Sequence, residues 1–295
     1  ATFTATGQNI TLTNAANDFT GAVVTDGLAV GLTDVNALVL GASTITGAYN
    51  VTAGGAITQT GALAVTGVTT IADAGFDVTL DNIANDFMND VLVTGANVAL
   101  TDVGAIDLGL STITGTYTVI ALNAGTITQS GALTVDGAAT FTATANDVTL
   151  TSANNFKSTV SIDGAIVQVA DNTGGIQLGT VNTSASLAVT ATNGNITQDT
   201  NGLTVATTST FVTATDNSTI ALDAGANTFN GAVLLTTNDT GTDASASING
   251  GSTAALDIGL STVDGNLTLQ SGFGITDSGI ATVTGNLSAT TSGTA

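Results

Sequence analysis

This sequence has no cysteine, histidine, proline or tryptophan, and all 22 of its acidic residues are aspartate. Without histidine or cysteine, every nucleophile–histidine pair and every His/Cys metal site is excluded. The absence of cysteine also excludes disulfides, and it fits a protein that crosses membranes unfolded and then works outside the cell. Lys157 is the only basic residue, so the net charge is −21. That charge repels phosphate backbones and anionic lipid, which argues against nucleic-acid partners and membrane-surface binding. Charged residues make up 8% of the chain, against about 25% in an average globular domain. No run of about 18 apolar residues is present, which argues against a transmembrane helix. The opening residues Ala1-Thr2-Phe3-Thr4 carry neither the basic n-region nor the apolar h-region of a signal peptide.

What is present is alternation and repetition. Hydrophobic residues are 43% of the chain, and 36 glycines are spread through it. Runs such as Ile10-Thr11-Leu12-Thr13, Leu63-Ala64-Val65-Thr66 and Val78-Thr79-Leu80-Asp81 alternate apolar and polar residues, the pattern of strands with one buried face. Clusters of Gly, Asn and Asp between the runs supply turns. The segment Gly55–Gly67 (GAITQTGALAVTG) returns as Gly125–Gly137 (GTITQSGALTVDG), then from Asn195, and in degraded form through Gly274–Gly279. Its isoleucines, Ile57, Ile127, Ile196 and Ile275, step by 70, 69 and 79 along the chain. A phenylalanine column (Phe19, Phe87, Phe156, Phe229) steps by 68, 69 and 73, and a column Tyr49, Tyr117, Leu187, Leu267 steps by 68, 70 and 80.

Direct repeats of short strands without intervening helices point to an all-β fold, a parallel β-solenoid whose coils share one core. Coils of about 20–24 residues put three coils in each ~70-residue block, about 13 coils in all, in a rod roughly 60 Å long at ~4.8 Å per coil. The four blocks run about 10–77, 78–147, 148–219 and 220–295 of one continuous array. In the last block the step from Phe229 to Leu256 is longer than its counterpart from Phe156 to Ile176. The extra residues fall in Thr236–Gly251, expected to emerge as a surface loop. The chain starts and stops inside the pattern, so the expectation is a segment of a longer chain, or ends that stack on neighbours.

No catalytic residue stands out. Asp34 and Asp102 share a repeat column that aligns onward to Asn172 and Ser252, and turn formation explains such aspartates without chemistry. The asparagines Asn17, Asn85 and Asn154 suggest stacked amide ladders, a structural device of parallel stacks. Calcium is the one ion that oxygen ligands alone can hold, and Asp239 and Asp243 in the inserted stretch, with Asp171 beside Asn172, are the weak candidates for it. No other cofactor is expected. An outer-membrane barrel would want longer strands and aromatic girdles.

The phrases Gly54–Leu63 (GGAITQTGAL), Leu108–Gly115 (LGLSTITG) and Ala16–Val23 (ANDFTGAV) resemble the repeats of very large bacterial surface proteins, the filamentous-haemagglutinin-like β-strand-repeat adhesins. The resemblance implies an extracellular or cell-surface location and a role in adhesion, aggregation or biofilm structure. The expectation is therefore a non-enzymatic stalk or fibre module that self-associates end to end or laterally. A solenoid face or the 236–251 loop that binds host or matrix glycans, or calcium, is the alternative.

Overall fold

The computed structural model describes residues 1–241 and 243–292. Every regular element among them is a short strand, and every strand pairing is parallel, in a β-solenoid of about 14 turns. The chain divides into two compact units, Ala1–Thr144 and Ala145–Ala295.

In the first unit one ladder runs from Ile10–Leu12 to Val30–Asp34, Tyr49–Ala53, Thr69–Ala72 and Val91–Gly95. A second runs from Leu38–Leu40 through Ile57–Gln59, Val78–Leu80, Val98–Asp102 and Tyr117–Ala121 to Ala139–Thr142. A third joins Thr2–Ala5, Val24–Gly27, Ser43–Ile45, Leu63–Val65 and Asp86–Phe87. Each strand thus stacks on its counterpart one coil away, and a coil wraps three such faces around the core. The second unit repeats the arrangement. Val148–Leu150, Val167–Asp171, Leu187–Ala191, Ser209–Thr213 and Val233–Thr236 form one ladder, and Ile220–Leu222, Ala246–Asn249, Leu267–Ser271 and Leu287–Thr291 form another.

Alternation decides which side chains enter. In Val30–Asp34 and Tyr117–Ala121 every second residue is buried, because successive side chains on a strand point to opposite faces. Ile57, Leu63 and Val65 of the recurring segment are fully buried, as the alternation requires. A buried Leu, Ile or Val contributes roughly 1.5–3 kcal/mol. Aromatic residues meet edge to face, Tyr117 with Phe141 at 5.9 Å and Phe211 with Phe229 at 6.3 Å. Glycine is required where coils touch at their corners. A Cβ on Gly61 would lie 2.5 Å from the Ala42 amide nitrogen, and one on Gly131 would collide with that of Leu110.

The repeat and the coil do not share a period. Successive coils carry Val30 onto Tyr49, Tyr49 onto Thr69 and Thr69 onto Val91. Val98, the repeat counterpart of Val30, falls beyond Val91 and lies in the second ladder instead of the first. In the second unit Val167 stacks on Leu187, Ser209 and Val233, while its counterpart Ala246 comes well after Val233, in the other ladder. A block therefore holds three coils and part of a fourth, where three whole coils were expected, and the same motif moves to a different face from one block to the next.

The inserted stretch is only partly a loop. Thr237 and Ala244 are buried, Asn238 and Asp243 are exposed, and Ala246–Asn249 is a regular strand. The coil carrying it is correspondingly long, since Thr236 finds its ladder partner only at Thr262.

Candidate functional site

The polar residues that recur in every block converge on one corner of the coil. After the turn at Asn82, the Asn85 side chain is buried. Its amide group donates to the Leu80 carbonyl at 3.0 Å and to Gln59 Oε1 at 2.9 Å. Its Oδ1 accepts from the Leu63 amide at 2.9 Å and from Gln59 Nε2 at 2.8 Å. The Asn85 carbonyl then accepts the Val103 amide of the next coil at 2.7 Å. Two residues on, the Phe87 amide donates to Asp102 Oδ2 at 2.6 Å, and Asp102 Oδ1 accepts the Gly104 amide at 2.6 Å. Gln59, Asn85 and Asp102, on three successive coils, are joined by this one network.

The other blocks reproduce it. Asn17 donates to Leu12 and Thr33 carbonyls, and Asp34 accepts from the amides of Phe19 at 2.7 Å and Asn36 at 2.9 Å. In the second unit Asn154 donates to the Leu150 and Ala170 carbonyls, both at 3.1 Å, and Asp171 accepts from Phe156 at 2.6 Å and Thr173 at 2.8 Å. Asn227 pairs with Gln198 as Asn85 does with Gln59 and donates to the Asn249 carbonyl at 3.0 Å, while the buried Gly250 stands at the aspartate's place.

Two expectations change here. The aspartate column Asp34, Asp102 continues as Asp171, not as Asn172, because the one-residue insertion of the third block falls after the buried carboxylate, at Gly174-Gly175; in the last block the buried Gly250 stands there, not Ser252. The asparagines do not stack on one another either. Asn17 and Asn85 are several coils apart, and each secures its own corner to the coils beside it.

Burial raises the pKa of Asp102 and of Asp171 above the ordinary carboxylate value, with the amides of Phe87 and Gly104, or of Phe156 and Thr173, partly offsetting it. Both Asp171 oxygens are engaged by main-chain amides. Asp239 and Asp243 lie in the inserted loop, where the Asp243 amide donates to Asp239 Oδ2 at 2.8 Å. That amide, with those of Gly241, Thr240 and Ala244, holds the Asp239 carboxyl below its usual value. The structure thus places Asp171 at a stapled corner and the other two candidates in a capped loop. No group of three or more acidic side chains suited to an ion occurs among the described residues.

A second recurring element went unnoticed in the sequence. Ser43, Ser111 and Ser261 are buried. Each accepts the amide of a residue one coil back, Thr25, Val93 or Leu235, at 3.0–3.1 Å, and donates to the carbonyl of Gly41, Gly109 or Gly259. In the third block Val181 occupies this place. There the strand Ile176–Thr183 runs unbroken, and its neighbour shifts register between Val160 and Ile162. The Gly-Leu-Ser-Thr phrase at Gly109–Thr112 and Gly259–Thr262 was the available signal.

A groove of about 550 Å³ opens on the second unit beside the stapled corner, lined by Asn155, Lys157, Ser158, Thr173, Gln177 and Asn195 over buried Phe156 and Ile176. Its rim includes Gly174 and Gly175 at positive φ, 91° and 86°, where the third block carries its extra residue. No helix among the described residues is long and apolar enough to cross a membrane.

Comparison with curated proteins and with solved structures finds no match. A family model matches at residues 1–26, 27–94, 95–163, 164–236 and 243–295, five segments whose internal boundaries step by about the block length seen in the Asn, Phe and Asp columns. The chain belongs to the family described as repeats of unknown function (DUF5649).

Proposed function

We propose that this chain is a non-enzymatic structural module, the stalk or fibre of an extracellular bacterial adhesin or biofilm-matrix filament. One observation carries the reading: the polar side chains that recur from block to block direct their hydrogen bonds to the protein's own backbone. Asn85, Asp102 and Ser111 each bind main-chain groups of a neighbouring coil. Buried polar groups satisfied in this way stiffen a structure and specify its register. They are unavailable to a substrate. Continuous parallel ladders supply the length, and the charge of −21 keeps the surface soluble. End-to-end or lateral self-association would extend it into a filament.

Two measurements test the reading. Prolonged exposure to a nonspecific protease should leave the coils nearly intact; trypsin is a poor probe, since Lys157 is its only site. Antibody labelling of intact cells, followed by electron microscopy, should find the protein outside the cell in extended fibres. Labelling only after lysis would refute the extracellular assignment.

A second reading rests on the groove beside Lys157. Its amides and hydroxyls over an apolar floor suit a glycan, so that this module would itself adhere. Titration calorimetry with matrix polysaccharide fragments should then show heat that Gln177→Ala abolishes, and no heat from the wild-type protein removes this reading. Calcium, the other candidate ligand, is tested by thermal melts, where no shift at millimolar calcium removes a structural site.

A further inference from the structure

Asp73 follows the strand Thr69–Ala72 in the first unit and turns inward. It is fully buried, and neither carboxylate oxygen has a hydrogen-bond partner. The donor that acts on it, the Ile57 amide, is already given to the Asp77 carbonyl at 3.0 Å. Flanking coils offer no polar replacement. One step beyond the paired residues Thr52, Ala72 and Thr94, the ladder places Ala53 on one side of Asp73 and Gly95 on the other.

The same position in the other blocks is filled by Ala5, Ala143 and Thr213. Ala143 is a buried methyl, and Thr213 satisfies its hydroxyl by donating to the Ser218 carbonyl at 3.3 Å. Only in this block does the fold accept a carboxyl group there. A buried acid without partners is among the most costly groups a core can hold when ionised, and it is tolerated when neutral.

We propose that Asp73 is a proton-operated latch: with the carboxyl protonated, the corner formed by residues 73–78 closes tightly on its neighbouring coils, and with it ionised the same corner opens. A proton is the cation this enclosed place admits without displacing a coil. Of the groups around it, from its own turn, the 53–57 turn, the strand Val91–Gly95 and the Ala96-Asn97 corner, Asp77 is the one whose charge acts on it. Asp77 is itself held by the Asn97 amide at 3.0 Å and by the Asn97 side chain at 2.9 Å.

Burial first, and the Asp77 charge in addition, push the Asp73 carboxyl up from 3.8 to about 6. The folded value lies above the unfolded one, so the closed state prefers the protonated acid. The cost of ionisation is absent well below pH 3.8 and grows as pH rises through about 6. Between pH 5 and pH 7.5 the opening equilibrium of this corner should rise about tenfold from this group alone.

Hydrogen exchange read by mass spectrometry, corrected for the intrinsic pH dependence of exchange, tests the latch on the intact chain. Amides of residues 73–78 should lose about tenfold in protection from pH 5 to pH 7.5 in the wild type. Asp73→Ala, which installs the residue found at Ala143, and the near-isosteric Asp73→Asn should both flatten that dependence, and Asp73→Ala should melt higher at pH 7.5. Asp77→Asn should move the midpoint to lower pH. Equal pH dependence in the wild type and in Asp73→Ala would overturn the proposal.

Discussion

The side-chain amides of Gln59 and Asn85 hydrogen-bond to each other in both directions, at 2.8 and 2.9 Å, although 26 residues separate them. The pair clamps one coil to the next at the corner that follows the strand Ile57–Gln59. An amide pair is complementary in both directions, donor to acceptor and acceptor to donor, as no single carboxylate or hydroxyl can be.

Removing one half of that clamp leaves the other half buried and unmet. Asn85→Ala should lower stability in urea by about 3 kcal/mol, since the Leu63 amide, the Leu80 carbonyl and Gln59 all lose a partner. Gln59→Ala should cost less, about 1–2 kcal/mol, because Asn85 keeps its main-chain contacts. The double mutant should fall short of the sum of the two, and additivity would show that the amides do not act as a pair.

Asp102 should tolerate asparagine better than alanine. An asparagine Oδ1 can still accept one of the two amides, whereas alanine strands the amides of both Phe87 and Gly104. Equilibrium unfolding should show a loss of about 2 kcal/mol or more for Asp102→Ala, and about half that for Asp102→Asn.

The pH dependence of the whole chain follows from the same groups. Asp73, Asp102 and Asp171 all have raised pKa values, led by burial. Each therefore favours the protonated form in the folded state, and each withdraws stability as pH climbs above the ordinary carboxylate range. Thermal melts should show the protein more stable at pH 5 than at pH 8. Discharging a chain of −21 adds in the same direction. A melting temperature that falls on going from pH 8 to pH 5 would contradict both effects.

Ser111→Ala should cost about 1–2 kcal/mol, by leaving the buried Val93 amide without its acceptor. Val181→Ser should bring no matching gain, because the third block has already shifted register around the valine. Differential scanning calorimetry of the two single variants checks the asymmetry.

In the inserted loop Asp239→Ala should leave the melting temperature nearly unchanged, since surface changes away from buried features have little effect on stability. It removes the carboxylate that gathers the Asp243 and neighbouring amides. Faster proteolytic nicking between Thr237 and Ala244 is the expected readout.

Much of this was legible in the chain itself. Alternation of Val, Ile and Leu with Thr and Asn determined the strands, and glycine, asparagine and aspartate clusters determined where they turn. Self-similarity from block to block required a stack of coils, because a unit with one apolar face must bury it on the next. Gln59 sits beside a turn, and Ile57, Leu63 and Val65 face inward, for the same local reasons.

Tertiary structure decided what local pattern cannot carry. The recurring Asn and Asp columns run down the sequence as neighbours, yet strand pairing separates successive members by three coils and a part, so they cannot form ladders. Their real partners, Gln59 for Asn85 and Phe87 for Asp102, lie 26 and 15 residues away, at distances set by the circumference of a coil and not by the length of a block. That circumference varies from a short coil, in which Val91 pairs with Leu108, to the long one that brings Thr236 to Thr262. No repeat period reveals the variation. Whether an aspartate such as Asp73 lies outward in water or is shut inside depends on that winding alone, and this is why a residue type read as a solvated turn became, at Asp73, a buried acid without a hydrogen-bond partner.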